Sequence, residues 1–230
     1  MIGIWFTYNL DAKCLIESVK SFRRVYPDGV VAICDDAKNP VNAEDIKTIS
    51  PDYRELREWD SKGNLNGWAA IRGMLEFQIK VQELFPGHCG AIKIDSDTLL
   101  LDNSWLDINS PISGFSLGTQ TLFVGVMRYL RADVPQILLD KFKTRFLWEG
   151  SSTPEDITIG AYCTLLFGSE CNSVDWSDGA KSFSYINPER NDRKCKVITF
   201  GNRSEIKNMT NEQKRNLAGE EMAKYNEKFA

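Results

Sequence analysis

Asp95 and Asp97 stand one residue apart at the end of an apolar run, in the segment Ile92-Lys-Ile-Asp95-Ser96-Asp97-Thr98-Leu-Leu-Leu101, near the middle of the chain. On an extended backbone, side chains at i and i+2 leave the same face, so both carboxylates can converge on one hard cation. Ligation by oxygen alone favours magnesium or manganese over zinc. A chain turning into solvent after a buried strand accounts for one aspartate. It accounts less well for two, because charge is rare beside a buried strand.

The elements that must position this pair are legible as an alternation of strands and helices. Ile2 to Thr7 reads as a buried strand, and Leu15, Val19, Phe22 and Tyr26 follow at helical spacing. Val30 to Cys34 is a second apolar run ending in Asp35-Asp36, with a Pro40-containing loop behind it. After a polar stretch, Trp68, Ile71, Leu75 and Ile79 mark a helix, closed by Pro86-Gly87 ahead of the strand that reaches Asp95. Strands alternating with helices predict an α/β fold with a mostly parallel sheet. Ligands of such sheets bind outside the carboxyl ends of the strands, so Thr7-Tyr8-Asn9, Asp35-Asp36 and Asp95-Ser96-Asp97 are candidates for one crevice.

Beyond residue 101 the alternation loosens. Pro111 to Leu117 and Leu122 to Tyr129 read as strands and Val134 to Phe146 as a helix. Pro154-Glu155-Asp156 opens another helix running to about Phe167, and both acids suit the positive end of its dipole. Lys196 to Phe200 is a late strand. Thr210 and Gln213 form a capping-box pattern ahead of Ala218, Met222, Tyr225 and Phe229, a tail helix expected to dock on the body.

Composition limits the function classes. With 42% hydrophobic and 26% charged residues the chain is ordinary globular material, large enough for one substantial core. The formal charge of −4, from 28 basic and 32 acidic residues with no recurring basic stripe, disfavours a nucleic-acid partner. Six cysteines without paired short spacing read as reduced core thiols rather than a zinc site or a disulfide framework. The opening Met1-Ile-Gly-Ile-Trp-Phe6 is too short an apolar run for a secretory leader, and no run reaches spanning length, so a cytoplasmic protein is expected.

Several of these residues, taken in order, resemble the nucleotide-sugar-dependent glycosyltransferases of the GT-A type, in particular the large inverting family 2-like group. The first strand ends Phe6-Thr7-Tyr8-Asn9, the second ends Asp35-Asp36, and Asn64-Leu-Asn66-Gly67 leads into a helix with an early Arg72. Asp95-Ser96-Asp97 then falls where the group carries its metal-binding Asp-x-Asp. The resemblance implies a single Rossmann-like GT-A domain over residues 1–230, with a central mostly parallel sheet flanked by helices and a C-terminal helix. Residues 1–100 would form the nucleotide-binding half, 101–205 the acceptor half and 206–230 the helical tail.

It also implies a set of roles. Thr7, Tyr8, Asn9, Asp35 or Asp36, Asn64, Arg72, Asp95 and Ser96 would bind a UDP- or GDP-sugar, with Lys62 a weaker phosphate contact. Asp95 and Asp97 would hold Mn2+ or Mg2+. Glu155-Asp156 matches the group's catalytic acidic pair, with Asp156 as the base that activates an acceptor hydroxyl and so inverts the anomeric centre. Many relatives supply a third metal ligand, a histidine, from a late strand, where this chain has Thr199, with Asn202 beside it.

Other readings stay open at this point. A haloacid dehalogenase-type phosphohydrolase also uses a strand ending Asp-x-Asp, with Asp175 and Asp178 as a poor later acidic pair. A sugar-nucleotide pyrophosphorylase needs a glycine-rich loop after the first strand, where Leu10-Asp-Ala-Lys13 has none. A non-catalytic nucleotide-sugar-binding module is the third.

Overall fold

The structure, a computed structural model, describes residues 1–58, 67–116, 123–144, 155–187, 190–191, 194–201 and 203–229. For residues 67, 68, 123, 124, 143, 144, 156 and 203 only the backbone is described.

The first half builds the parallel part of the sheet. Strand β1 (Ile2–Thr7) leads through a 3-10 turn into helix α1 (Ala12–Val25), then β2 (Val30–Asp36), helix α2 (Ala43–Ile49), β3 (Tyr53–Arg57), helix α3 (Gly67–Leu84) and β4 (Gly90–Ile94). β1 pairs in parallel with both β2 and β4, and β2 with β3. All four therefore end on one edge, where the alternation predicts three of them, β1, β2 and β4. The polar stretch after residue 49 contains a strand, β3, that alternation did not reveal, because Tyr53-Arg-Glu-Leu-Arg57 carries charge on a half-buried sheet edge.

The second half is mixed. A three-residue strand β5 (Thr98–Leu100) is followed by β6 (Ile112–Ser116), β7 (Phe123–Arg131), helix α4 (Val134–Thr144), helix α5 (Glu155–Phe167), β8 (Asn172–Asp175), a single helical turn α6 (Trp176–Gly179), β9 (Ala180–Ser182), β10 (Val197–Thr199) and helix α7 (Asn211–Glu227). The order of the main sheet is β3-β2-β1-β4-β7-β6-β8, with β7 antiparallel to both β4 and β6. A second sheet has the order β5-β10-β9. Strands as short as β5, β8 and β9 carry too few residues to show a period of two.

α1 holds the sheet by one face. Leu15, Val19 and Phe22 are buried against Trp5, Ile33, Ile92 and Ile94, with Phe22 edge-on to Trp5 at 5.4 Å and 88°. Each such side chain contributes about 1.5–3 kcal/mol by leaving water. Serines lie on the same buried face. Trp5 Nε1 donates to Ser18 Oγ at 2.9 Å, Ser18 Oγ donates to Thr98 O at 2.7 Å, and Leu100 N donates to Ser21 Oγ at 3.0 Å. These hydroxyls satisfy backbone groups that the join from β4 to β5 leaves unpaired.

α7 starts with the expected capping box, Thr210 and Gln213 bonding each other's backbone N–H, and packs along α1. The approach is close at Gly219, where a Cβ would stand 2.7 Å from Lys13 Cβ. No disulfide links cysteines among the described residues, and none of the described helices is long and apolar enough to cross a membrane.

Candidate functional site at the carboxyl edge of the sheet

The paired aspartates are not on an extended strand. β4 ends at Ile94, and Asp95 to Thr98 forms a tight turn closed by Thr98 N donating to Asp95 O at 3.1 Å. The expected i, i+2 alternation is thus replaced by a turn, and the turn is tied down on every side. Asp95 N donates to Val126 O of β7 at 2.9 Å, Phe200 N beyond β10 donates to Asp97 O at 2.7 Å, and Ser18 of α1 holds Thr98 O. Turning still brings the carboxylates close enough for Asp97 to repel the charge on Asp95.

The two acids differ in environment. The Asp95 side chain is 38% exposed, and its carboxylate accepts a hydrogen bond from Lys93 Nζ on β4. Burial pushes the Asp95 pKa up to about 6, with Lys93 drawing it down and Asp97 and Glu155 pushing it further up. Asp97 is buried, and its Oδ2 lies 3.5 Å from where a Cβ of Gly201 would stand, with Thr199 Oγ1 at 3.4 Å from the same point. The end of β10 therefore does meet Asp97, presenting Thr199 and Gly201 there. Asn202 lies outside the described residues.

Beneath Asp95 is a buried chain of charges. Lys93 Nζ also donates to Gly125 O at 2.5 Å and lies 3.2 Å from Glu155 Oε1, which in turn accepts from Arg128 Nη1 at 3.0 Å. Burial opposes charge on both Lys93 and Glu155, but their partners outweigh it: Asp95 and Glu155 raise the Lys93 pKa, and Lys93 and Arg128 lower that of Glu155. Glu155 therefore joins the start of α5 to β4 and β7, its Oε1 shared between Lys93 and Arg128. Lys93 was overlooked in the sequence, although a lysine two residues before Asp95 in an apolar strand shares its face and is a readable signal.

The oxygen-only donors of Asp95 and Asp97 fit a divalent cation that completes its shell from phosphate and water oxygens. Among the described residues no group of three or more His, Cys, Asp or Glu side chains converges as a metal site, so the protein's share would be Asp95 and Asp97.

Thr7 Oγ1 and Ser96 Oγ are buried and have no hydrogen-bond partner among the described residues. Buried hydroxyls at strand ends normally find a partner, so these two suit a ligand's polar groups. Tyr8 is half-buried and extended, with Arg215 of α7 over its ring at 4.8 Å, and Asn9 is exposed, its N–H bonded to Asn39 O at 2.8 Å. Asp35 is fully buried. Its carboxylate accepts from Arg54 Nη2 at 2.6 Å and Val41 N at 3.0 Å, and burial outweighs these in raising its pKa. Asp36, half-buried, accepts from Lys38 N at 3.0 Å.

Arg72 is 60% exposed on α3 and paired with Glu76 at 2.6 Å, so its guanidinium is engaged on the helix surface. Asn64 and Lys62 lie outside the described residues, and Asp156 is the second residue of α5 with its side chain undescribed.

Neither a protein-family model nor a curated protein sequence matches this chain. Solved structures do match. A glycosyltransferase involved in the glycosylation of the major capsid of PBCV-1 aligns over 96% of this chain and 98% of its own, with a TM-score of 0.59 at 13% identity. The galactosyltransferase LgtC, in complex with donor and acceptor sugar analogs, aligns over 87% of each chain, with a TM-score of 0.50 at 12% identity. The glycosyltransferase GlyE of Streptococcus pneumoniae TIGR4 aligns over 95% of this chain and 59% of its own, with a TM-score of 0.52 at 10% identity. The shared property is the fold: a mixed α/β sheet flanked by helices, as in these glycosyltransferases.

Proposed function

We propose that this chain is a glycosyltransferase that moves a sugar from a nucleoside-diphosphate sugar to an acceptor hydroxyl. The observation that carries the reading is the Asp95–Thr98 turn, with two carboxylates, and the hydroxyls of Thr7 and Ser96, which have no partner among the described residues, at the carboxyl edge of a largely parallel sheet. The glycosyltransferase fold of the structural neighbours supports it.

In this reading residues 1–100 bind the nucleotide, a UDP or GDP moiety. Thr7 and Ser96 hydroxyls bond its phosphate and ribose oxygens, the Tyr8 ring gives the base a face, and Asn9 and Asp36 offer polar groups to its edges. Asp35 supports the loop behind Asp36, since its carboxylate is occupied by Arg54 and Val41. Asn64 and Arg72 contribute phosphate contacts on the strength of the resemblance alone. Asp95 and Asp97 are the residues that would hold Mn2+ or Mg2+, an ion that supplies Lewis-acid stabilisation of the charge on a departing diphosphate.

With Glu155 engaged by Lys93 and Arg128, Asp156 is the member of the acidic pair assigned as base. It takes the proton of the acceptor hydroxyl while that oxygen bonds the anomeric carbon from the side opposite the diphosphate. The bond to the diphosphate oxygen breaks as the new bond forms, and the configuration inverts. Residues 101–205 would hold the acceptor.

Thermal shift and calorimetry with uridine, guanosine and cytidine diphosphates and their sugars, with and without manganese, test this reading. One diphosphate should stabilise the protein only with manganese, and Asp95→Asn or Asp97→Asn should remove the effect. Asp156→Asn should bind that diphosphate unchanged but lower the rate of sugar transfer by about 10²–10⁴-fold. Release of phosphate from simple monoesters would instead favour a phosphohydrolase. Binding without transfer or slow donor hydrolysis would favour a non-catalytic module.

A further inference from the structure

By its apolar stripe α7 is a helix that docks on the body. Its packing also places one residue, Arg215, against the end of β1. Cys14 Sγ of α1 donates to Arg215 O at 3.4 Å, and Gly219 lets the α7 backbone sit against Lys13 and Cys14. Farther along, Asn226 Nδ2 donates to Glu17 O and to Glu17 Oε2, both at 2.9 Å, and Arg24 Nη1 donates to Asn226 Oδ1 at 3.0 Å. Polar contacts at both ends and a close approach between them leave α7 little freedom to slide or rotate on α1.

Arg215 is thereby held at two points. Its Nη1 pairs with the carboxylate of Asp11, in the 3-10 turn Asn9–Asp11 that follows Tyr8, and its guanidinium carbon lies 4.8 Å from the centre of the Tyr8 ring. The Arg215 side chain is only 19% exposed and that of Asp11 only 7%. The cation is thus neutralised by its neighbour, and its planar group lies over one face of the tyrosine. An aromatic ring at a strand end is free to swing between rotamers unless something packs on it.

We propose that Arg215 is a positioning residue for nucleobase recognition: it covers one face of Tyr8 and fixes the ring so that the opposite face receives the base. The inference rests on the nucleotide-sugar reading of the site and adds a residue from the C-terminal helix to it. Arg215 acts through Tyr8 and not on the phosphates, because Asp11 already uses its charge. Freezing one side chain in advance is worth about three- to tenfold in affinity.

The test is a double-mutant cycle read by calorimetry in manganese, with two probes: the nucleoside diphosphate that the wild type binds best, and inorganic pyrophosphate. Arg215→Leu should weaken the nucleoside diphosphate about three- to tenfold and leave pyrophosphate unchanged. In a Tyr8→Ala background, Arg215→Leu should cost nothing further. Arg215→Lys keeps a charge beside Asp11 but loses the plane, and it should show the same selective loss if the leucine variant fails to fold. Equal losses with and without Tyr8, a parallel loss of pyrophosphate binding, or no loss at all overturns the role of Arg215 while leaving the site reading intact. Absence of nucleoside diphosphate binding by the wild type overturns both.

Discussion

Burial and partners separate Asp35 from Asp36 where residue type does not. Both end β2, and a family resemblance offers either as the acid that meets the nucleobase. Only Asp35 is sealed, with Arg54 of β3 and the Val41 amide on its carboxylate. Its pKa stands above the ordinary aspartate value because burial outweighs those bonds, so the hydrogen bonds, rather than the charge, carry its contribution. Asp35→Ala should therefore lower the stability by about 1–3 kcal/mol by leaving Val41 N and Arg54 unsatisfied. Asp35→Asn, which keeps an acceptor for Val41 N, should cost less. Urea midpoints measure both. Arg54 itself was hidden in a stretch too charged to read as a strand.

Elements place the remaining groups, and they do so through contacts far apart in sequence. The capping box of α7 was readable because its two residues are three apart and need nothing else. Its docking against α1 depends on a close approach at Gly219, where a Cβ would stand 2.7 Å from Lys13 Cβ and 3.3 Å from Cys14 N. Gly219→Ala should gain helix propensity yet lose stability, because α7 must lift from α1 to admit the methyl group. Overpacking of this kind costs about 1–3 kcal/mol. A lower thermal midpoint for Gly219→Ala, set against an unchanged one for an exposed-site control in α7, checks it.

For the molecule as a whole, Glu155 links acid stability to the integrity of the site. Its pKa is held below the ordinary glutamate value: burial alone would raise it, and Lys93 and Arg128 more than offset that. A depressed carboxylate stabilises the fold fully above the unfolded pKa, about 4.3 for glutamate, and the contribution is withdrawn as pH falls through the folded value. Wild-type thermal stability should therefore decline as the pH drops below about 4.3. Glu155→Gln should begin lower at neutral pH and decline less steeply over the same range. Parallel acid limbs in the two proteins would contradict this. Removing the carboxylate also leaves Lys93 and Arg128 as a like-charged buried pair, so Glu155→Leu should cost about 3–5 kcal/mol.

The sequence by itself determined β1, α1, β2, α3 and β4 as alternating strands and helices, the position of the paired aspartates at the edge where the parallel strands end, the late strand and the capped tail helix. These follow from periodicity, turn residues and short-range caps, which a segment carries without reference to the rest of the chain. Tertiary structure alone decided that Asp95 to Thr98 is a turn rather than a strand, that Asp35 and Glu155 are held by Arg54 and by Lys93 with Arg128, and that Arg215 lies on Tyr8. The physical reason is separation along the chain. Two residues apart, Lys93 and Asp95 share a face by backbone geometry, but Tyr8 meets Arg215 only once α7 has packed along α1.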